Sequence, residues 1–447
     1  MIKKLVILMF FLSAASVTDL LAEYTLSGKL SHDSRVLLDK GIHSKDPGDE
    51  DGQRGEFNKS ISRLELNVQR VDEEGFSMFG KVWLTCDHLE SYYARTYQDN
   101  DTSSESNLER LEYDEFMLRE GYVTAAFGAF EMKAGQMILN WGRTDEINPV
   151  DVVNPEDLSE FYTIDKMERK IPVMLFDGLL YMGDFTLQAV WLPFFEPAVV
   201  PSQGPWAQSM LLEFRKMAPD LYASLDFNDR DGAGRRDINN SETAARLSGL
   251  VGSFDFGLVF FYGYNDQPAV KIDFANKIYD IIYKQYHGYG FDFAYSSGGC
   301  GFRGEFFYRD RILYPHETPS GIDNYESQDF QGIIGADKTY GENLYVNLQV
   351  MYTRIFDYKD DILMEEDLVM GMGTVEKKFF REELTVALDF YYGFREKDWM
   401  IGPRIEYALT DNFKAKLSGF IVDGPLDSDL GQFKNNDMII LQIAYNF

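Results

Sequence analysis

The residues of this chain that could do chemistry are scattered along it, and few show the spacing of a known site. Gly299, Gly301 and Gly304 match the spacing of a dinucleotide-binding loop, but an alternating strand pattern follows them and no helix. No nucleophile-elbow or Walker motif occurs. The sequence has only two cysteines, Cys86 and Cys300, far apart along the chain, so it offers no disulfide framework and no cysteine-based zinc site. The histidines lack metal-ligand spacing; they are His32, His43, His88, His287 and His316. We therefore expect no catalytic residue, no metal site and no cofactor.

Composition excludes further classes of function. The 447-residue chain carries 43 Lys and Arg against 73 Asp and Glu, a formal net charge of −30. A nucleic-acid-binding protein needs clustered basic residues to neutralise phosphates, so we expect no nucleic-acid partner. Hydrophobic residues make up 45% of the chain, which is too many for a disordered protein.

The first 22 residues have the features of a secretory signal peptide. Lys3 and Lys4 form a positively charged n-region, and an apolar h-region follows from Leu5 to Ala15. Ala22 is a small residue at a plausible cleavage site. No later apolar run reaches the roughly 20 residues that a membrane-spanning helix needs. We predict a signal peptide at 1–22 and one domain at 23–447, exported either as a soluble β-protein or as an outer-membrane barrel.

An alternation of apolar and polar residues with a period of two runs through the rest of the chain. In the stretch 384–394, for example, Leu384, Val386 and Leu388 alternate with residues such as Thr385. Because successive side chains of a strand point to opposite faces, each such stretch has one apolar face. The pattern predicts an all-β protein, and it is typical of both soluble sandwiches and membrane barrels.

Three features favour the barrel over the sandwich. The strand stretches reach about ten residues, the length that a tilted membrane strand needs. Aromatic residues lie near strand ends, as in the girdles of membrane barrels. Short turns alternate with long connections such as 39–57, 143–170, 197–241 and 315–325. We predict a transmembrane antiparallel up-and-down β-barrel of about 18 strands, within a range of about 16 to 20. The stretch 206–229 forms either a further hairpin or a helical part of a loop.

The last strand resembles the C-terminal strand of bacterial outer-membrane proteins. Ile439, Leu441, Ile443, Tyr445 and Phe447 share one face, and the sequence ends at Phe447. The resemblance implies that the barrel assembly machinery recognises this terminal aromatic residue. The alternative is an ordinary edge strand that ends in Phe by chance.

Residues 135–172 resemble a signature of a porin-like family of outer-membrane β-barrels from Gram-negative bacteria, whose function is largely uncharacterised. The stretch contains a Gly-Gln strand and then WGRTDEINPVDVVNP, from Trp141 to Pro155. The likeness implies a barrel surrounded by lipid in the outer membrane of a Gram-negative bacterium. It says little about a substrate.

The same stretch has turn chemistry that predicts an ordered connection. Gly142 ends the strand, and the steps Asn148-Pro149 and Asn154-Pro155 favour turns. We predict that 143–170 folds inward, is tied to the wall by Arg–carboxylate pairs and narrows the pore. The alternative is a surface loop that caps a turn or contacts a neighbouring subunit. The candidate constriction residues are Trp141, Arg143, Asp145, Asn148, Asp151, Asn154 and Asp157.

Charged residues on the polar strand faces are the other candidates, because rings of fixed charge set selectivity in pores. Both signs occur, and solvation of a wet lumen is the alternative role for each of them. The pore-lining candidates are Lys81, Arg303, Glu305, Arg309, Asp389, Arg404 and Glu406.

Together these patterns predict a passive outer-membrane channel for small solutes, driven by the solute gradient. The first alternative is a structural or surface-binding barrel plugged by its long loops. The second is a barrel enzyme with a Ser–His pair on its outer wall. Only His88 and Ser91, which lie near the end of a strand, suggest such a pair. We expect no enzymatic activity. The sequence leaves both a monomer and a trimer open.

Overall fold

The computed structural model describes residues 24–38, 57–72, 75–88, 115–201, 206, 237–273, 278–434 and 436–447. The predicted signal peptide lies outside the described residues, as do Ser91 and most of the predicted connection 39–57. Of the stretch 206–229, only its first residue is described.

Strands account for nearly all the regular structure in the described part of the chain. One short α-helix, α1, spans Lys166–Arg169. Among the residues described, no helix has the length and apolar character needed to cross a membrane. The strands are β1 (Tyr24–Leu37), β2 (Phe57–Val71), β3 (Phe76–Asp87), β4 (Glu115–Phe127), β5 (Phe130–Met137), β6 (Val173–Met182), β7 (Phe185–Leu192), β8 (Glu242–Val251), β9 (Phe254–Tyr264), β10 (Ala269–Asp273), β11 (Ile278–Ile282), β12 (Gln285–Ser297), β13 (Cys300–Thr318), β14 (Gly321–Tyr340), β15 (Leu344–Ile355), β16 (Asp367–Phe379), β17 (Leu384–Gly393), β18 (Trp399–Ala408), β19 (Phe413–Asp423) and β20 (Met438–Asn446).

Eighteen of these strands form one closed antiparallel barrel. Each pairs with its chain neighbours, except that β9 pairs with β12, and β1 closes the ring by pairing with β20. Gly28 and Phe447 extend this seam by exchanging two backbone hydrogen bonds, of 2.9 and 3.0 Å. Closure leaves no unpaired sheet edge, which a barrel in lipid requires. The prediction of an all-β antiparallel barrel of about 18 strands is confirmed.

The two remaining strands, β10 and β11, form a small hairpin in the connection between β9 and β12. This hairpin docks on β14, where Ile272 and Asp273 lie opposite Ile322 and Gly321. In the barrel wall β7 pairs directly with β8.

The alternation places apolar side chains on the outside of the barrel. Leu348 and Leu388 remain 54% and 40% exposed, whereas Asn347 and Gln349, on the opposite face of β15, point inward and are buried. A belt of exposed apolar side chains around the wall suits contact with lipid hydrocarbon.

The connections differ at the two ends of the barrel. The short turns lie at the same end of the barrel as Tyr24 and Phe447. At Gly183 and Gly252 these turns need a φ of +65°, which glycine adopts without strain. At the other end the stretch 315–325 is largely strand, because cross-strand pairing continues along β13 and β14 to Thr318 and Gly321. The prediction of a long loop there is wrong.

The sequence pattern predicts a polar lumen, but part of the inner wall is apolar. Inward-facing side chains of β5 to β9, such as Met137, Leu175 and Phe261, are apolar and buried. They pack around Val150 and Val153 of the connection between β5 and β6. Protein rather than water therefore covers this half of the inner wall.

We expect the substitution Phe447→Ala to weaken barrel closure without abolishing it. The ring packs over Gly28, where an added Cβ would lie 2.5 Å from it. Because the ring is 50% exposed, its loss is expected to cost about 1 kcal/mol of unfolding free energy. The measurement is urea unfolding of the refolded protein in detergent micelles, followed by tryptophan fluorescence.

Leu409→Ala, at a turn residue of similar exposure, is the control for this experiment. Deleting Phe447 also removes both seam hydrogen bonds, so it is expected to cost more than the substitution. Equal losses from the deletion and the substitution would contradict the role given to the backbone seam.

Candidate functional site

The connection between β5 and β6, residues 138–172, crosses the inside of the barrel and is called the inward segment below. On one side of the ring, Glu160 contacts Arg35 of β1. On the other side, Arg143 contacts Asp255 of β9 and Asp292 of β12. Because β1 lies opposite β9 and β12 in an eighteen-strand ring, these contacts span the lumen.

The first anchor of the inward segment is a buried cluster of charges around Glu160. Its carboxylate lies 2.5 Å from Arg35 Nη1 and 2.6 Å from Lys59 Nζ. Burial by itself would raise the pKa of the Glu160 carboxyl, but Lys59 and Arg35 outweigh burial and hold that pKa below its usual value. A second ion pair joins β2 to the inward segment: Arg63 Nη1 lies 2.8 Å from Glu168 Oε2. Paired charges of this kind fix position, since separating them leaves a buried charge uncompensated.

The second anchor is Glu305 of β13, which organises the turn after Trp141. Its Oε1 accepts hydrogen bonds from the backbone N–H groups of Arg143 and Thr144, at 2.5 and 2.7 Å, and from Asn148 Nδ2 at 2.9 Å. The side chain is fully buried. Glu305 is one of the predicted pore-lining residues, and in the structure the inward segment covers it.

Asp145 continues this anchor along the wall. It accepts a hydrogen bond of 2.9 Å from Arg303 Nη1 and further ones from the amides of Asn347 and Gln349. Arg303 also contacts Asp337 of β14. Arg303 thus ties the inward segment to the wall through Asp145.

Two of the other predicted constriction residues hold the inward segment together. The Asp151 carboxylate lies 2.6 Å from Lys170 Nζ and 2.9 Å from Lys166 Nζ. Asn154 Nδ2 donates to backbone carbonyls at both ends of the segment, at 3.1 and 2.9 Å. These contacts make the segment an ordered unit in its own right.

Trp141 and Asp157 have similar structural roles. Trp141 is buried; its backbone N–H donates to Asp151 at 3.1 Å, and its Nε1 donates to Gln188 of β7, also at 3.1 Å. Asp157 accepts a hydrogen bond of 2.9 Å from the backbone N–H of Ser159.

Aromatic residues fill the lumen beside the inward segment. Phe161 stacks on Trp206, with ring centroids 5.3 Å apart, and contacts Phe433 at 4.7 Å. Tyr162 stacks on Tyr391 of β17 at 6.2 Å. Because Trp206 and Phe433 belong to the connections after β7 and β19, three connections meet in this aromatic cluster. No motif marks these residues in the sequence; large aromatic side chains inside polar loops were the one available signal.

On the side of the short turns, the inward segment borders a cavity of about 1580 Å³. Asp389, Arg404 and Glu406, three of the predicted pore-lining residues, face this cavity. Arg404 lies 3.0 Å from Glu376 and 3.4 Å from Asp389, and Glu406 lies 3.1 Å from Lys414. Opposite charges on strands one or two positions apart in the ring therefore pair along the cavity wall.

The remaining predicted pore-lining residues lie elsewhere on the inner wall. Lys81 is 3.5 Å from Glu120 of β4. Arg309 donates to Asp329 at 2.8 Å, and the same carboxylate accepts a hydrogen bond from Tyr314. Within the described part of the chain, no group of three or more His, Cys, Asp or Glu side chains could hold a metal ion.

Residues 24–398 match the family described as Protein of unknown function (DUF1302), a match that covers most of the chain. The chain belongs to that family. A comparison with curated proteins gives no match.

Solved structures of outer-membrane barrels resemble this DUF1302 protein. OccAB3 of Acinetobacter baumannii is 11% identical, with a TM-score of 0.51, and the match covers 95% of this chain and 99% of that one. DcaP, described as an outer membrane channel of Acinetobacter baumannii, is 9% identical over 95% of this chain and 97% of its own, with a TM-score of 0.43. OmpT, an outer membrane protein of Vibrio cholerae, is 8% identical with the same coverage and a TM-score of 0.44. The similarity to OccAB3 shows a shared barrel fold.

We expect Glu305→Gln to loosen the inward segment. An amide in place of the carboxylate turns an NH2 group toward backbone N–H donors and loses a charge-assisted acceptor, at a cost of about 2 kcal/mol. Urea unfolding in detergent micelles measures this cost. Glu406→Gln, on the open cavity wall, is the matched control and is expected to change the unfolding free energy by less than about 0.5 kcal/mol. Equal losses in the two variants would contradict the anchoring role of Glu305.

The connection after β19 has its own anchor, which is sensitive to pH. Glu396 accepts a hydrogen bond of 2.8 Å from the backbone N–H of Asp429, and Asp398 accepts one of 2.7 Å from Leu430. Burial, with Asp429 and Asp398 close by, raises the pKa of Glu396 to about 7. The folded arrangement therefore favours the protonated carboxyl.

We expect this anchor to weaken as pH rises from 4.5, the ordinary pKa of a glutamate, toward about 7. In that range the folded state binds more protons than the unfolded state, so stability falls with rising pH. Hydrogen exchange of the Asp429 and Leu430 amides, corrected for intrinsic rates, is expected to be faster at about pH 8 than at about pH 5. Glu396→Gln is expected to remove most of this difference, and Glu382→Gln, at an exposed site, to leave it. An unchanged pH dependence in the first variant would contradict the assignment to Glu396.

Proposed function

We propose that this protein is an outer-membrane channel of a Gram-negative bacterium through which small solutes diffuse passively, and that the inward segment restricts the passage. The observation that carries the proposal is the arrangement inside the barrel. A cavity of about 1580 Å³, lined in part by charged side chains such as Asp389 and Arg404, lies against a segment that is anchored on opposite walls. A barrel of this strand number is wide enough to hold a water-filled passage.

The membrane location rests on the outward-facing apolar belt, the closed sheet and the shared fold with OccAB3. The predicted signal peptide would send the chain out of the cytoplasm. Recognition of the terminal Phe447 by the barrel assembly machinery belongs to the same proposal. Its ring lies on the outer face of the seam, where a second protein could reach it.

A second candidate function is a closed barrel with a structural or surface-binding role. The aromatic cluster favours this candidate, because it joins the inward segment to two outer connections. If that cluster closes the lumen, the cavity opens only toward the side of the short turns and no solute can cross the barrel. The two candidates differ in one measurable property, which is the conductance of the folded protein.

The test is single-channel recording of the detergent-refolded protein in a planar lipid bilayer, with a salt gradient across it. We expect discrete conductance steps from the unaltered chain, and a reversal potential that gives the sign of any ion selectivity. Replacing residues 145–165 by a short Gly/Ser linker is expected to enlarge the steps several-fold. The double variant Glu160→Gln, Glu168→Gln is expected to give larger and noisier steps, because it releases one end of the inward segment.

Glu366→Gln with Glu382→Gln is the control pair, since it makes the same change in net charge away from the inward segment. Every variant is first checked for an electrophoretic mobility that changes on heating, which is evidence of a folded barrel. No steps from the folded unaltered chain, together with steps from the linker variant, would favour the closed barrel. No steps from either would rule out the channel, and equal steps from both would rule out a constriction.

A further inference from the structure

A serine and two histidines lie together on the outer wall of the barrel. Ser62 Oγ of β2 lies 3.0 Å from His32 Nδ1 of β1 and 2.8 Å from His88 Nε2, just past β3. The other ring nitrogen of His32 lies 2.8 Å from Ser34 Oγ. The centroids of the two imidazole rings lie 5.7 Å apart. The cluster joins three neighbouring strands.

Strand register holds these groups on the outer wall. His32 lies directly opposite Ser62, and Ser34 is two positions further along the same face of β1. The intervening Asp33 and Arg35 point inward, where Arg35 binds the inward segment. Because β1 and β2 pair without a break in register from Tyr24 to Arg35, the sheet sets the positions of Ser62 and His32.

The hydrogen bonds allow one imidazole to act as a base toward Ser62. A hydroxyl group carries a single proton, so it can donate to only one of the two ring nitrogens that contact it. The other nitrogen must then carry the proton and donate it to Oγ. When His32 is the acceptor, its second nitrogen donates to Ser34, which fixes the tautomer. Serine, base and orienting hydroxyl then form a chain of the kind that activates a nucleophile.

We propose that Ser62 is the nucleophile of an esterase site that cleaves fatty-acyl esters of membrane lipids. His32 is the general base, Ser34 is its positioning residue, and His88 donates a hydrogen bond to the oxyanion. The site is separate from the lumen, so it does not depend on whether the barrel conducts.

The reaction uses only the lipid ester and water. Ser62 Oγ attacks the ester carbonyl carbon while its proton moves to His32 Nδ1. The ester C–O bond then breaks, and the imidazolium gives that proton to the departing alcohol. Water next attacks the acyl-serine and loses a proton to His32, which returns it to Ser62 Oγ as the fatty acid leaves. The sum is ester plus water to acid plus alcohol.

The surroundings of the cluster identify the substrate as a lipid. Leu30 and Leu84, on the same outer faces of β1 and β3, are 51% and 40% exposed, and Leu441 of β20 is exposed beside them. An acyl chain can lie along these side chains while its ester group reaches Ser62. The cluster is near the end of β3 that leads to a long connection, and therefore in the leaflet on that side.

The test is covalent labelling of the refolded protein in detergent micelles by a fluorophosphonate with a long alkyl chain. Peptide mass spectrometry is expected to place the label on Ser62. Ser62→Ala is expected to abolish labelling, and His32→Ala to slow it about 100-fold or more. Ser60→Ala is the matched control, because this serine lies on the same face of β2 and the substitution keeps its backbone carbonyl, which accepts a hydrogen bond of 2.8 Å from the His88 N–H.

Hydrolysis of a p-nitrophenyl palmitate substrate gives a second measurement. Ser34→Ala is expected to lower kcat and leave KM unchanged, which a merely structural change would not do selectively. Heat-modifiable mobility shows that each variant is folded. The proposal is overturned if the folded, unaltered chain takes up no label, if the label lies on another residue, or if Ser62→Ala hydrolyses the ester as fast as the unaltered chain.

Discussion

Pairing of the backbone hydrogen-bonding groups around a closed sheet is the constraint on which this structure depends. Lipid offers no partner to an N–H or C=O group, so a sheet in a membrane must close on itself. Here the last strand returns to the first, and Phe447 completes the ladder with Gly28. Closure of eighteen strands encloses more space than wall side chains alone can fill. The chain fills part of that space with the connection between β5 and β6.

Buried charge sets where this connection lies. Glu160 is held by Arg35 and Lys59 on one wall, and Glu305 collects backbone donors of the segment on the other. Each of these carboxylates would be costly if it lost its partners away from water. The segment therefore has one position in which all of them are paired, and the aromatic cluster and the cavity border follow from that position.

Adjacent residues of β1 serve two different surfaces. Asp33 and Arg35 face the lumen and belong to the anchor of the inward segment, whereas His32 and Ser34 face outward, where His32 contacts both Ser34 and Ser62 of the next strand. A strand can hold two independent sets of polar groups because its side chains alternate between faces. The passage proposed through the barrel and the chemistry proposed on its wall can therefore be altered separately by mutation.

The sequence by itself determined the barrel, because alternation of apolar and polar residues with a period of two is a local property. It can be recognised from neighbouring residues without knowing any tertiary contact. The outward positions of Leu348 and Leu388 and the strand number follow from that alternation and from the short turns. Only the tertiary structure decided what covers each inward face. Glu305 and Asp389 both read as polar residues on inward strand faces, yet one lies buried under the inward segment and the other faces the cavity. Likewise Ser62 meets His88 through the pairing of β2 with β3, whereas their separation along the chain gives no sign of it. Pairing across strands and the folding of one connection into the lumen are long-range events, so no local pattern encodes them.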